Sequence, residues 1–234
     1  MSGVLAEETW PTVPDTPLVL VPLGSTEQHG PHLPFSTDSV IATAVALGTA
    51  ERLRATRPVM VAPTVPYGAS GEHQSFAGTV SIGHEALQVI IVELVRSLST
   101  WAGSILLVNG HGGNVASLGV AVPRLIAEGH RIAWVPCAAR HGDAHAGRTE
   151  TSLMLHLAER SVNLAHARPG NVTPVSELLP TMRAGGTRAV SPSGVLGDPT
   201  GASAAEGALL LEEMVETALR RLDAYTVDER GCLT

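Results

Sequence analysis

Three polar segments of this chain carry side chains whose types and spacing could bind a metal ion. The first, GSTEQHGPHLPFSTD, places Glu27 and His29 two residues apart and Asp38 further along the same segment. Alternate residues of an extended backbone point to the same side. Carboxylate and imidazole together suit Zn²⁺, Fe²⁺ or Mn²⁺, whereas Ca²⁺ takes oxygen ligands almost exclusively. Taken alone, the segment could equally be an ordinary surface loop.

The second segment, NGHGGN, sets His111 among three glycines. Glycine lets the backbone approach a ligand closely, which leaves His111 as the one chemically functional side chain. A phosphate-binding loop before a helix is the alternative. The absence of lysine and of the dinucleotide glycine spacing counts against it.

The third segment, GDAHAGRTETS, contains His145 and Glu150. We expect Glu150 in the first turn of a helix, where an acid can be a metal ligand or can favour the helix dipole. His145 and Glu150 are the candidate catalytic residues, and Glu150 is also a candidate ligand. Asp143 and His141 are weaker candidates for substrate contacts.

Short apolar runs alternate with longer helical patterns. The runs are apolar on both faces, which is typical of parallel strands covered by helices, so we expect an α/β fold with helices on both faces of the sheet. The predicted strands are Leu18–Pro22, Pro58–Ala62, Ser104–Val108 and Arg131–Pro136. The predicted helices are Asp38–Leu53, Glu85–Trp101, Val115–Glu128, Glu150–Ser161 and Thr200–Ala224, with Thr37 or Asp38 capping the first; Thr64–Thr79 and Pro169–Pro199 are predicted loops. We expect one domain over residues 1–234.

The order of these elements predicts where the three segments meet. They follow the first, third and fourth strands, and the carboxyl ends of parallel strands share one edge of a sheet. Glu27, His29, Asp38, His111 and Glu150 are too many ligands for one zinc ion with an open position. They suit two ions roughly 3.5–4 Å apart that share a carboxylate, an arrangement typical of hydrolysis.

Composition excludes several other functions. A net charge of −7 and only seven aromatic residues argue against nucleic-acid binding. All fifteen basic residues are arginine, which excludes a Walker-type loop and a Schiff-base lysine. No apolar run is long enough to span a bilayer, and no signal peptide is visible. Two separate cysteines fit a reduced compartment, so we expect a cytoplasmic protein.

The remaining candidate side chains receive smaller roles. His73 and Ser70 could reach a substrate, and His32 would support the first segment. Cys137 is expected to be an inert thiol at a strand end. Packing or solvated roles are expected for His84, His130, His156 and His166.

The three segments, in this order and spacing, resemble the signatures of the creatininase (creatinine amidohydrolase) family. The resemblance covers about residues 18–157 and implies a three-layer αβα sandwich with a mostly parallel central sheet, in homo-oligomers that are often hexamers. It places Glu27, His29, Asp38 and His111 on metal ligands, with Asp38 bridging, and His145 on the catalytic or substrate-contacting histidine.

The chain also departs from true creatininases. Those enzymes carry Tyr-Glu directly after the loop histidine, the Glu being a ligand, where this chain has Gly112 and Gly113. The fifth ligand must then come from elsewhere, and Glu150 is the candidate. Creatininases also carry a tryptophan that packs on creatinine at the position of His141, so creatinine is not the expected substrate.

The run DAHAGRTETSLML looks most like the family branch that acts in mycofactocin biosynthesis. That likeness implies a peptidase which cuts a precursor peptide and releases its modified Val-Tyr core. The alternatives are a small-amide or formamide hydrolase of the same family and a non-catalytic ligand-binding scaffold.

Overall fold

The computed structural model describes residues 3–234, and its core is a four-stranded parallel sheet. The strands are β1 (Leu18–Leu23), β2 (Val59–Val61), β3 (Ser104–Asn109) and β4 (Ile132–Pro136). Each agrees with its prediction to within one residue at either end. Their order is β2-β1-β3-β4, with Leu18 opposite both Val59 and Ser104, and Ile105 opposite Ile132.

Helices cover both faces of this sheet, which confirms the predicted three-layer sandwich. Their bounds are α1 (Thr37–Leu53), α2 (Gly83–Leu98), α3 (Val115–Ala127), α4 (Arg148–Ala158), α5 (Val175–Gly185) and α6 (Ala204–Ala224). Leu18 and Leu20 of β1 pack into an apolar cluster with α1, α4 and α6. Val19 and Val21 point the other way, into a second cluster with α2 and α3. Alternate side chains of one strand therefore build two cores, as the pleat requires.

Three sequence predictions about elements were wrong. The predicted loop Pro169–Pro199 contains helix α5, which buries none of its residues. Pro180 inside it and the glycines at its end disguise the helical pattern. The residue before α1 is Ser36, so Thr37 and Asp38 lie in its first turn and do not cap it. Helix α6 begins at Ala204 instead of Thr200, where the Ser203 side chain accepts a hydrogen bond from the Glu206 amide.

Close backbone contacts hold the start of α1 against the carboxyl edge of the sheet. A Cβ atom at Gly110 would lie 2.5 Å from the Asp38 carbonyl oxygen, and one at Gly24 would lie 2.6 Å from the Ser39 Cα. Glycine at both positions is therefore required for this approach. It brings the Asp38 side chain to the ends of β1 and β3. Within residues 3–234, every helix is too short or too polar to cross a membrane.

Candidate metal centre

Asp38 lies at the middle of a buried cluster of histidines and carboxylates. One of its oxygens, Oδ1, is 3.0 Å from His29 Nε2. The other, Oδ2, is 3.2 Å from His111 Nδ1 and accepts a hydrogen bond from Ser25 Oγ at 2.7 Å. The two histidines come from segments that follow different strands, so the convergence expected at the sheet edge is present. Asp38 has the geometry of a carboxylate shared between two sites.

Glu27 is the most deeply buried acid of the cluster. It has no solvent exposure, and neither of its carboxylate oxygens has a hydrogen-bond partner within residues 3–234. Oε2 lies 3.2 Å from His111 Nε2, and Oε1 lies 3.4 Å from His73 Nε2. A buried carboxylate without hydrogen bonds is costly, and a cation held between it and the neighbouring histidines would balance its charge. The donor set therefore fits a divalent metal ion.

Glu150 and His145 complete the cluster on the side of β4. Glu150 lies in the first turn of α4, as predicted, with Oε2 3.7 Å from His29 Nε2. The same oxygen accepts a hydrogen bond from the Ala146 amide at 2.6 Å. Ala146 is held in the left-handed region at φ 53°. Because it directly follows His145, this turn aims that ring at His29, with the ring centroids 4.3 Å apart.

Three groups of side chains have ligand atoms close enough to hold an ion. Within residues 3–234 they are Glu27–His29–Asp38, Glu27–His73–His145 and His29–His145–Glu150. Four of the five predicted ligands belong to these groups. His111 belongs to none of them, although it contacts both Glu27 and Asp38. His145, predicted as catalytic, belongs to two, so the division between ligands and catalytic residues stays a prediction.

The acids and histidines of the cluster shift one another's pKa values, and burial shifts them further. Burial would lower the pKa of His29, but Asp38 and Glu150 raise it to about 10. Burial would likewise lower the pKa of His111, but Glu27 and Asp38 raise it to about 10. Against the effect of burial, His29 and His111 hold the pKa of Asp38 well below its usual range. Burial raises the pKa of Glu27 and of Glu150 to about 7.

His145 is electrostatically unlike a free histidine, whose pKa lies near neutrality. Burial, together with the charges of His29 and His73, holds its pKa well below the ordinary histidine value. The neutral ring is the form that accepts a proton or binds a cation.

Gln28 orients His145 and His73. The Gly30 amide donates to Gln28 Oε1 at 2.8 Å, which turns the Gln28 NH₂ group towards His73 Nδ1, also at 2.8 Å. His145 Nε2 donates to the Gln28 carbonyl oxygen at 2.8 Å. The lone pair of His145 is therefore on Nδ1, 3.7 Å from Glu27 Oε1.

Comparison of the sequence with known proteins identifies its family. The family model described as creatinine amidohydrolase matches residues 6–222. The chain belongs to the creatininase family. It is 51% identical to the mycofactocin precursor peptide peptidase of Mycobacterium ulcerans, over 99% of this chain and 95% of that protein. It is 52% identical to the protein of the same name from Mycolicibacterium smegmatis, over 93% and 89%.

Solved structures of creatininases share the fold. The structure named "Creatininase Mn" has a TM-score of 0.77 and 26% identity, covering 96% of this chain and 99% of its own. A second, of creatinine amidohydrolase (creatininase), has a TM-score of 0.75 and 26% identity, covering 95% and 97%. The creatininase fold therefore places the cluster on a scaffold of amidohydrolases.

Two side chains of this creatininase-family site, His73 and Gln28, lie outside the ligand set predicted from the sequence. The predicted meeting point involved the segments after β1, β3 and β4, but β2 also ends at the same edge. The segment after β2 carries His73, whose ring centroid lies 4.4 Å from that of His145. Gln28 was missed because an amide between two candidate ligands carries no signal of its own. The edge rule, applied to all four strands, would have found His73.

The weaker candidates have structural explanations. Asp143 accepts hydrogen bonds from the amides of Arg148 and Thr149 and so caps α4. His32 contacts Thr151 Oγ1 at 2.9 Å and supports the loop, as expected. Burial and the nearby Asp38 raise the pKa of the Cys137 thiol, in agreement with an inert role. The four histidines with expected packing or solvated roles are absent from the three candidate metal groups of residues 3–234.

Two adjoining cavities lie on this side of the molecule, and the smaller one borders the cluster. The inner cavity, of about 270 Å³, is lined by Asp38, His111, His145 and Glu150 among others. An outer groove of about 740 Å³ continues from it between α6 and the segment before α5. Five lining residues belong to both: Ala139, Gly142, Asp143, Ala144 and Thr149.

Proposed function

We propose that this chain is a metal-dependent peptidase that hydrolyses an amide bond near the C-terminus of the mycofactocin precursor peptide and releases the modified Val-Tyr core. The observation that carries the proposal is the 51% identity, over 99% of the chain, to a protein named as that peptidase. The clustered acids and histidines supply the chemistry that such an activity needs.

We assign the metal-binding role to Glu27, His29, Asp38, His111 and Glu150. Divalent ions held by these residues, such as Zn²⁺, Fe²⁺ or Mn²⁺, would polarise the amide carbonyl and lower the pKa of water. Asp38 faces both histidines and serves as the shared ligand. Glu27 contributes a buried carboxylate whose oxygens have no hydrogen-bond partner within residues 3–234 and which faces the His111 and His73 rings.

We assign proton transfer to His145. Its Nε2–H is held by the Gln28 carbonyl oxygen, so the ring presents Nδ1 to the cluster. Nδ1 accepts a proton during attack on the carbonyl and passes it to the departing nitrogen, the usual role of a positioned histidine. Gln28 and the turn at Ala146 keep the ring in this orientation.

The size and position of the outer groove favour a peptide as the substrate. The inner cavity of about 270 Å³ is too small to hold a whole precursor peptide. A peptide that is cut near one end has a long remainder, which must leave the cavity. The groove of about 740 Å³ gives that remainder a path along α6 and past Val172, which is 70% exposed.

The proposal is tested with the synthetic precursor peptide and the metal-loaded protein, with products read by mass spectrometry. We expect a product that carries the last two residues and a peptide shortened by those two. The control peptide lacks them and should stay uncut. Hydrolysis of formamides or other small amides with no cleavage of the peptide would instead support the small-amide alternative.

A further inference from the structure

Glu72 is an acid at the edge of the cluster that lies outside the proposed ligand set. It lies in the 3-10 turn Gly71–His73, directly before His73. Its Oε1 atom is 3.8 Å from His111 Nε2, and its side chain is 30% exposed. Glu72 therefore reaches the cluster from the segment that follows β2.

Gly113 makes this approach possible. A Cβ atom at Gly113 would lie 2.7 Å from Glu72 Oε1 and 2.4 Å from His111 Nε2. It would also lie 2.4 Å from the Ala69 carbonyl oxygen, which is backbone and cannot move aside easily. A side chain at position 113 is therefore excluded, and the Glu72 carboxylate occupies part of that space beside the His111 ring.

Two carboxylates face the same nitrogen of His111. Glu27 Oε2 is 3.2 Å from Nε2 and Glu72 Oε1 is 3.8 Å from it, and they approach from different segments. Glu27 is fully buried and its oxygens have no hydrogen-bond partner within residues 3–234. Like charges gathered around one point repel each other strongly in a buried site unless a cation lies among them.

The cluster then has an acid at each end. Glu150 faces His29, Asp38 faces both His29 and His111, and Glu72 faces His111 on the far side. Around the shared Asp38, Glu150 supplies carboxylate charge at the His29 end, and Glu27 and Glu72 supply it at the His111 end.

We propose that Glu72 is a carboxylate ligand of the metal centre at its His111 end. This inference rests on the metal centre of the proposed function but not on the identity of the peptide substrate. Its test measures metal binding and needs no substrate.

The test compares Glu72→Gln and Glu72→Asp with the wild type, and Glu177→Gln on the exposed helix α5 is the matched control. Bound ions per chain are measured by elemental analysis, and affinity is measured by chelator competition with Zn²⁺ and Mn²⁺. We expect Glu72→Gln to lose one ion or to bind it roughly 10–100-fold more weakly, the usual cost of disturbing a metal site. Glu72→Asp should recover part of that affinity, and Glu177→Gln should match the wild type.

Thermal melting in excess chelator separates a ligand role from a structural one. The metal-free melting temperatures of Glu72→Gln and the wild type should agree, while the stabilisation by added metal should be smaller in the variant. Equal ion content and equal affinity in Glu72→Gln would overturn the proposal, even if catalytic activity fell. If the wild type binds its ions but leaves the precursor peptide uncut, the proposed function fails and this test still stands.

Discussion

The chemistry at the residue scale depends on buried charges that balance one another. Asp38 touches His29 at 3.0 Å and His111 at 3.2 Å, so one carboxylate connects segments that follow two different strands. Glu27 is buried and lacks a hydrogen-bond partner within residues 3–234. A divalent cation bound here would balance the buried carboxylates, which is the physical reason to expect tight metal binding.

Replacing His145 with alanine separates proton transfer from metal binding. We expect His145→Ala to lower kcat by about 10²–10⁴-fold, the usual contribution of a positioned acid or base, while the ion content stays that of the wild type. The measurement is steady-state peptide cleavage together with elemental analysis. His166→Ala, at an exposed site, is the control and should match the wild type. Loss of an ion from His145→Ala would make His145 a ligand instead.

At the scale of elements, helices α4 and α6 pack through a glycine. A Cβ atom at Gly207 in α6 would lie 1.9 Å from the Ser152 carbonyl oxygen in α4. Such a contact is impossible without separating the two helices, and α4 carries Glu150. The glycine is therefore needed for packing, although it weakens its own helix.

Two glycine-to-alanine substitutions, one at an open site and one at the contact between the helices, test this packing. Alanine is the better helix former by about 1 kcal/mol, so Gly119→Ala in α3 should stabilise the protein by up to that amount. A Cβ atom there meets only ordinary contacts, the nearest at 3.5 Å from the Arg230 side chain. Gly207→Ala should instead destabilise by about 1–3 kcal/mol through overpacking. Chemical unfolding measures both, and stabilisation by Gly207→Ala would contradict the packing described here.

The sequence predicted the sheet and the meeting of three polar segments at one of its edges, and its failures share a cause. Strands such as β1 are uniformly apolar runs between polar segments, so their limits are visible. The segment after β2 and the region around α5 are instead rich in Gly, Pro and Ser. Because such residues are typical of loops, the helix Val175–Gly185 was not predicted. The approach of Glu72 and His73 to the cluster depends on contacts between distant segments, which local composition does not reveal.

At the scale of the whole molecule, charge networks join neighbouring helices on the surface. Glu128, at the end of α3, accepts hydrogen bonds from Arg96 of α2 at 2.8 and 3.0 Å and from Arg124 at 3.0 Å. The hydrogen bonds from Arg96 have the largest effect, and together with those from Arg124 they lower the pKa of Glu128 from 4.5 to about 2. A single exposed ion pair adds little to the stability of the fold and is screened by salt. Any stabilisation here therefore comes from the three charged side chains acting together.

This network predicts a pH dependence. A carboxylate with a lowered folded-state pKa adds stability at pH values above its unfolded pKa and loses it as the pH falls through the folded value. The melting temperature of Glu128→Gln should therefore lie below that of the wild type at neutral pH. The difference should shrink below pH 4.5 and vanish near pH 2. Metal-free protein in low salt is the sample for this comparison. A difference that persists unchanged in acid would show that the substitution acts by other means.

Several large apolar side chains remain exposed on the single chain, among them Val89 in α2 and Val120 in α3. The homo-oligomer that the family resemblance implies would be one way to cover them. Assembly stays a prediction.

We propose that buried carboxylates and histidines from separate segments share divalent ions around Asp38. Anomalous diffraction from crystals of the Zn²⁺- or Mn²⁺-loaded protein locates such ions. We predict two peaks, each about 2.0–2.2 Å from an Asp38 carboxylate oxygen, the usual metal–carboxylate distance. Ions bound only elsewhere, or a loaded protein without a peak beside Asp38, would contradict the claim.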